Sequence, residues 1–153
     1  MKRTISNGVA GVCVSISFLF LVYSGSVCAD SILKDKVNIR SGPSMKSEVS
    51  FRAPLGYPIK IEKVQGDWVY FCDWENNRGW VHKPLVSKVK TAVILVTEAN
   101  LRSSGSTKSK VVAIAKRGEI YKVLTTKGEW IQLGYFFGGD PVGWVRSDLV
   151  FTG

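Results

Sequence analysis

Two side chains able to carry out covalent catalysis stand close together in the sequence, Cys72 and His82. An imidazole that takes the proton of a thiol produces a thiolate, which is a strong nucleophile. The same two residue types also bind zinc. However, His82 is the only histidine of the chain, and one histidine with one cysteine does not complete a zinc site. We therefore predict no metal site and no cofactor, and the couple of Cys72 and His82 is the one candidate for catalysis.

Binding through aromatic rings is the second chemistry that the sequence offers. Trp68 and Trp130 each follow a turn and stand near polar residues, and tryptophans in such settings often anchor ligands in recognition grooves. The alternative is that each tryptophan closes the end of a domain or fills a contact between domains, since large aromatic side chains often serve in packing. The predicted ligand-binding residues are Trp68, Tyr70, Trp74, Trp80, Trp130, Phe136 and Trp144.

The first 29 residues have the pattern of a secretory signal peptide. Lys2 and Arg3 give a basic start, an apolar run covers residues 9–23, and small residues lead to Ala29. A retained membrane anchor is the alternative, but the run is shorter than the ~20 residues that a membrane-spanning helix needs. We predict cleavage after Ala29, no integral membrane segment in the remaining chain, and a periplasmic or secreted location.

The charge of the chain narrows the choice of partners, and its cysteine content narrows the ways in which the fold can be stabilised. Loss of Lys2 and Arg3 with the signal peptide lowers the formal net charge from +9 to +7. A basic protein outside the cytoplasm favours anionic envelope polymers, lipid head groups or acidic proteins over nucleic acid, although moderate positive charge also serves solubility alone. Cys72 is the only cysteine after Ala29, so core packing rather than internal disulfides must stabilise the fold.

The chain after the signal peptide is a tandem duplication. With an offset of 62 residues, 37–71 aligns onto 99–133 without gaps, and 12 of the 35 pairs are identical. The offset then becomes 64, and Gly79-Trp80-Val81 aligns with Gly143-Trp144-Val145. Each copy is therefore one structural unit, and the second copy carries two additional residues near its end.

Turn residues such as Gly56 and Gly66-Asp67 divide each copy at strand-length intervals. No window has the pattern of an amphipathic helix. About five short strands per copy predict small antiparallel barrels or sandwiches. The β-rich runs are Ile59–Val64, Trp68–Trp74, Ile120–Thr125 and Trp130–Phe137.

Alternation along the second of these runs separates a core face from an open face. Val69 and Phe71 point to one side, and their counterparts Ile131 and Leu133 are also apolar, which predicts a buried row in both copies. The opposite face, which includes Trp68, differs more between the copies and is predicted to be less tightly packed.

Arg40 and Arg102 recur at the same place beside an asparagine. Their charge would suit an anionic ligand. We instead interpret them as structural residues, since a guanidinium can hydrogen-bond loop carbonyls and hold the first long loop in place.

Taken together, these motifs resemble the bacterial SH3-like (SH3b) domain. The first copy matches through Asn38-Ile-Arg40-Ser, Gly66-Asp-Trp68-Val and Gly79-Trp80-Val, and the second through Asn100-Leu-Arg102-Ser, Gly128-Glu-Trp130-Ile and Gly143-Trp144-Val. The resemblance implies a small β-barrel of exported or cell-envelope proteins, often a targeting module for cell-wall peptide or for partner proteins. SH3b modules often accompany cell-wall endopeptidases, but Cys72 and His82 lie inside the SH3b frame itself. We therefore expect no catalytic residue.

The sequence thus predicts an all-β fold of two tandem SH3-like barrels after an N-terminal signal peptide. The expected divisions are the signal peptide at 1–29, the first domain at 30–87, a linker at 88–92 and the second domain at 93–153. The leading hypothesis is a non-enzymatic module that recognises peptidoglycan, as cell-wall peptide or glycan, through aromatic grooves. The alternative is an adaptor that docks another envelope protein.

Overall fold

The computed structural model describes residues 30–153, and the predicted signal peptide lies outside the described residues. The described chain forms 14 strands and two short 3₁₀ turns, with no α-helix among residues 30–153. No helix in this part of the chain is long and apolar enough to cross a membrane. The predicted all-β class is confirmed.

Seven strands form the first barrel, and the 3₁₀ turn Lys83–Leu85 joins the sixth strand in chain order to the seventh. The strands are β1 (Asp30–Ile32), β2 (Val37–Arg40), β3 (Val49–Ala53), β4 (Pro58–Gln65), β5 (Trp68–Cys72), β6 (Arg78–His82) and β7 (Val86–Ser87). They form one antiparallel sheet in the order β3-β2-β6-β5-β4-β1-β7.

The second barrel repeats this arrangement strand for strand. Its strands are β8 (Thr91–Ile94), β9 (Glu98–Arg102), β10 (Val111–Lys116), β11 (Ile120–Lys127), β12 (Trp130–Gly134), β13 (Pro141–Arg146) and β14 (Val150–Phe151), with a 3₁₀ turn at Ser147–Leu149. Their order, β10-β9-β13-β12-β11-β8-β14, is that of the first sheet with each strand replaced by its counterpart. The sequence duplication is therefore a duplication of topology.

All four predicted β-rich runs form strands, but two of them end earlier than expected. β5 stops at Cys72 because the next residue, Asp73, begins a turn, and β12 stops at Gly134. The expectation of five strands per copy was too low. The missed strands, such as β1 and β7, have two to four residues and are too short to show a readable alternation.

The predicted core rows are confirmed. Val69 and Phe71 are buried in the first barrel, and Ile131 and Leu133 are buried in the second. Each row packs into a separate apolar cluster with residues of the neighbouring strands. Because Cys72 is the one cysteine of the described chain and is unpaired, these two clusters carry the stability that disulfides supply in many small exported domains.

A buried carboxylate organises the turn between β5 and β6. Asp73 Oδ1 accepts hydrogen bonds from the backbone N–H groups of Glu75 and Asn77, each at 2.9 Å. Its Oδ2 accepts from the Tyr57 hydroxyl at 2.8 Å and from Asn77 Nδ2 at 3.1 Å. Four donors satisfy a carboxylate that is only 2 % exposed, and the turn is held in one shape.

The two barrels are in direct contact. The Thr91 hydroxyl, on the first strand of the second barrel, donates to the carbonyl oxygen of Gly56 at 2.6 Å, and this bond is buried. Gly56 has φ of 74° and faces the Phe136 ring so closely that a Cβ would lie 2.9 Å from it. A side chain at Gly56 would therefore be strained in its backbone and would also collide with the second barrel.

The Tyr57 hydroxyl gives this region a pH dependence. Burial, and then the hydrogen bond to Asp73, raise the pKa of Tyr57 above its ordinary value of 10.0. The folded-state pKa lies above the unfolded value. The contribution of the hydroxyl to stability is therefore complete below pH 10 and is lost as the pH rises above it.

We expect Tyr57→Phe to lower the free energy of unfolding by about 1 kcal/mol at neutral pH, because one hydrogen bond to a buried carboxylate is lost. The difference from the parent protein should shrink as the pH rises above the ordinary tyrosine pKa. Urea denaturation at a series of pH values measures it. Tyr135→Phe is the control, since the Tyr135 side chain is mostly exposed. A difference that stays constant across the alkaline range would contradict the assignment.

Candidate functional site

Each barrel carries an open groove at the same place on its surface. The first groove has a volume of about 260 Å³ and lies between β2, the loop that follows it, β5, β6 and the 3₁₀ turn. Trp68 forms part of its wall, with Asn38 and Arg40 from β2. The remaining lining residues are Lys34, Asp35, Lys36, Val37, Met45, His82 and Leu85.

The second groove occupies the equivalent position in the second barrel and has a volume of about 180 Å³. Trp130, Asn100 and Arg102 stand where the first groove has Trp68, Asn38 and Arg40. The rest of its lining is Glu98, Ala99, Thr107, Arg146 and Leu149. The duplication has therefore produced two grooves with the same tryptophan, asparagine and arginine and with different rims.

The two recurring arginines hold the loops beside these grooves. Arg40 Nη1 donates to the carbonyl oxygen of Ser47 at 2.7 Å, and Arg102 Nη1 donates to that of Ser109 at 2.8 Å. Both acceptors lie seven residues along the chain from their arginine, at the far side of the loop. The structural interpretation of both arginines is confirmed, and each guanidinium still forms part of its groove wall.

Trp68 and Trp130 each form part of a groove wall and are partly exposed, as expected for an open face. Trp68 pairs across the sheet with His82, and the two ring centroids are 5.4 Å apart. In the second barrel Trp130 pairs with Arg146 instead. The first groove therefore presents two neighbouring rings, while the second presents one ring beside a guanidinium.

Tyr70 and Trp80 form a second aromatic pair on the same face, one step along the ladder from Trp68. Their ring centroids are 5.0 Å apart, and Lys63 Nζ lies 5.1 Å from the tyrosine centroid and 4.9 Å from the tryptophan centroid. Trp80 is only 6 % exposed, so the outer face is tightly packed at this point. The reason is the stack of Lys63 and Tyr70 on Trp80, which single-sequence alternation does not reveal.

Trp74 and Phe136 lie where the barrels meet rather than in either groove. The Arg117 guanidinium, from the second barrel, lies 5.0 Å from the ring centroid of Trp74. Phe136 packs against Gly56 of the first barrel. Trp144 is partly buried and pairs with Arg102 and Gln132 on the neighbouring strands. These three rings line neither groove; Trp74 and Phe136 instead contact the opposite barrel.

The rims of the two grooves differ in charge. Lys34 and Lys36 stand at the rim of the first groove, where they outnumber the single carboxylate of Asp35, whereas Glu98 takes the position of Lys36 in the second groove. Arg146 in the second groove is paired with the Asp148 carboxylate at 3.0 Å. The first groove is thus the more cationic, and an anionic ligand would be attracted to it first.

Sequence reasoning did not place Met45, Lys34 or Lys36 in a binding site. Met45 lies in the loop after β2 and is 69 % exposed, and the two lysines precede β2. Their closeness to Trp68 depends on how β2 and β5 are brought together through β6. All three residues lie close in the sequence to the motif Asn38-Ile39-Arg40, and that closeness is the signal that could have identified them.

Cys72 and His82 do not form a catalytic couple. Cys72 pairs with Arg78 at one end of the ladder of β5 and β6, and His82 pairs with Trp68 at the other end. Four residues of strand separate the two pairs, which corresponds to about 13 Å. Cys72 is buried, and its thiol donates to the carbonyl oxygen of Asp73 at 3.5 Å. An imidazole at that distance cannot take the proton of this thiol.

Fold and grooves together define small tandem β-barrels with the features of a binding module. Models of the bacterial SH3 domain match residues 33–88 and 97–151, so the chain belongs to the bacterial SH3 domain family and carries two copies of the domain. The resemblance inferred from the sequence is confirmed.

One curated relative is the candidate N-acetylmuramoyl-L-alanine amidase YrvJ of Bacillus subtilis strain 168, which is 28 % identical over 157 residues. The match covers 93 % of this chain but only 30 % of YrvJ. NlpC2 from Trichomonas vaginalis is similar at a TM-score of 0.35 and 14 % identity, over 82 % of this chain and 48 % of that one. An NlpC/P60 family protein from Bacillus cereus reaches 0.35 at 11 % identity, over 80 % and 55 %. Structural likeness at these scores carries no functional conclusion.

We expect Arg40→Met to loosen the loop 41–48, because the Ser47 carbonyl loses its donor while the aliphatic stem is kept. Hydrogen exchange of the loop amides should become faster, and the free energy of unfolding should fall by about 1 kcal/mol. Lys46→Met removes a charge from the exposed part of the same loop and is the control. Unchanged exchange in Arg40→Met would show that this guanidinium does not hold the loop.

Proposed function

We propose that this protein is an exported, non-enzymatic module that binds cell-wall peptide or glycan through the first and second grooves. The observation that carries the proposal is the pair of equivalent grooves, each with a partly exposed tryptophan beside an asparagine and a loop-bound arginine. Membership of the bacterial SH3 family supports it. The relative YrvJ supports it too, since its name contains N-acetylmuramoyl-L-alanine, a unit of peptidoglycan.

The groove chemistry suits such a ligand. A tryptophan face packs against the apolar side of a sugar ring or against an alkyl side chain, and Asn38 offers an amide to hydroxyl or peptide groups. Wall peptides carry free carboxylates, which the rim lysines of the first groove would attract. We infer that the first groove contributes most of the affinity and that the second groove adds a weaker contact.

Contact between the barrels supports binding at two points of one polymer. The buried bond from Thr91 to Gly56 and the stack of Arg117 on Trp74 hold the barrels together. Two linked sites on a repeating polymer bind more tightly than either site alone, because the second contact is made at high effective concentration. Linked binding would make retention on the wall stronger than single-groove affinity predicts.

The proposal that the protein is not an enzyme rests on the described residues. Cys72 and His82 are separated along the β5–β6 ladder, and no group of three or more potential metal ligands occurs within residues 30–153. The match to YrvJ leaves most of that protein uncovered, so the activity in its name is not transferred to this chain. The proposed location is the cell envelope or the medium.

We expect Trp68→Ala to reduce retention on purified peptidoglycan sacculi by about tenfold, as loss of an aromatic anchor usually does. Trp130→Ala should have a smaller effect, and the double variant should lose retention. Co-sedimentation of the purified proteins measures this. Phe137→Ala is the control, because Phe137 is a highly exposed ring that lines neither groove. Full retention of a folded double variant would exclude both grooves as binding sites for peptidoglycan.

Charge reversal at one equivalent position tests which groove contributes more to the affinity for the wall. Lys36→Glu gives the first groove the residue of the second, and Glu98→Lys makes the reverse change. We expect the first substitution to weaken retention and the second to strengthen it, with both effects fading as salt is raised. Lys60→Glu makes the same change of net charge at an exposed site outside both grooves. An equal loss in Lys60→Glu would mean that only the overall charge of the protein matters.

A further inference from the structure

Strand β10 presents an unusual outer surface at one edge of the second sheet. Its only partner among the described strands is β9. The inward residue Ala115 is buried, whereas the outward residues Val112 and Ile114 are 49 % and 57 % exposed. Branched apolar side chains thus stand in water on a strand with one open side, which is the arrangement that sheet edges normally avoid.

The first barrel shows that the fold does not require this apolar row. At the positions equivalent to Val112 and Ile114, edge strand β3 carries Ser50 and Arg52. Arg52 Nε donates to the Asn38 side chain at 3.1 Å, so the outer surface of β3 is polar and already hydrogen-bonded. One frame therefore exists in two versions. Both edge strands expose their first valine, Val49 or Val111, but only β10 also exposes apolar residues at the two outward positions that follow.

The backbone of β10 is oriented to receive another strand. The N–H of Arg117, just past the strand, points toward β9 and donates to the Thr97 carbonyl beside that strand. The N–H of the preceding residue, Lys116, points away from β9 and donates to the Glu119 carboxylate. The ladder has a bulge at Val112 and is regular from Ala113 to Lys116, where successive residues alternate in this way. The N–H and C=O of Ile114 therefore point away from β9, toward the open side.

Charges at the two ends of β10 indicate the chemistry of the partner. Lys110 precedes the strand and Lys116 ends it, and both are exposed. The first barrel has Glu48 and Pro54 at these positions, and proline at the end of a strand discourages pairing. Antiparallel pairing of two copies of β10, centred on Ala113, would set Lys110 of each against Lys116 of the other. Like charges in opposition disfavour a second copy and favour a segment with carboxylates at its ends.

We propose that β10 is a docking edge that takes up an extended segment of another protein as an additional strand. The segment would alternate apolar residues, which pack on Val112 and Ile114, and would carry acidic residues facing Lys110 and Lys116. Main-chain hydrogen bonds supply affinity in such strand addition, and the side-chain contacts select the partner. This function goes beyond wall binding: the first groove would hold the wall while the second barrel holds a protein.

The experiment is an NMR titration of the ¹⁵N-labelled protein with two synthetic peptides. The first is Asp-Val-Thr-Val-Thr-Val-Asp, and the second has lysine in place of both aspartates. We expect the acidic peptide to shift the amides of residues 111–116 in a saturable way and the basic peptide to leave them unchanged. Shifts confined to other residues, or equal binding of both peptides, would overturn the proposal.

Variants copied from the first barrel make the test specific. The double substitution V112S/I114R gives β10 the outer residues of β3. It should weaken the binding of the acidic peptide to β10 by about tenfold or more. The matched control is S50V/R52I in the first barrel, which should leave the affinity of β10 unchanged. If V112S/I114R fails to fold, K110E/K116E serves instead and should reverse the preference between the peptides. Unchanged binding in these variants, or dimerisation through β10 without peptide, would refute the assignment.

Discussion

The inward row of β5, and of its counterpart β12 in the second barrel, is the constraint on which the structure depends. Val69 and Phe71 in the first barrel, and Ile131 and Leu133 in the second, each close a small apolar cluster. The described chain has no disulfide to compensate for a weak core. Because side chains alternate along a strand, fixing this inward row also fixes Trp68 and Trp130 on the outer face. The position of both grooves follows from the packing of the core.

Because the domain is duplicated, equivalent residues of the two barrels can be compared directly. The residues that recur in both copies keep the frame, as shown by Arg40 and Arg102, each of which holds a loop through one backbone carbonyl. The residues that differ are concentrated on outward surfaces. Lys36 is exchanged for Glu98 at the groove rim, and Arg52 is exchanged for Ile114 at the sheet edge. One scaffold thus carries surfaces of different chemistry.

Contact between the barrels explains why several aromatic residues line neither groove. Trp74 stacks with Arg117, and Phe136 covers Gly56, so these rings join the two units. Asp73 and its four hydrogen bonds hold the turn that carries Trp74. The second barrel has no equivalent of this carboxylate, since Tyr135 occupies the aligned position. The duplicate turns have therefore diverged, and each places an aromatic ring against the other barrel.

The sequence by itself determined the all-β class, the two copies, the core rows and the structural role of the arginines. These features depend on local alternation and on the repeat, both of which are visible in one dimension. Only the tertiary structure decided which aromatic rings share a groove. It placed Trp68 beside Met45 and Lys36, covered Trp80 with Lys63, and moved Trp74 to the contact between the barrels. The physical reason is that strand order and the contact between domains bring together residues far apart in the chain, and the pattern of a single strand does not contain that information.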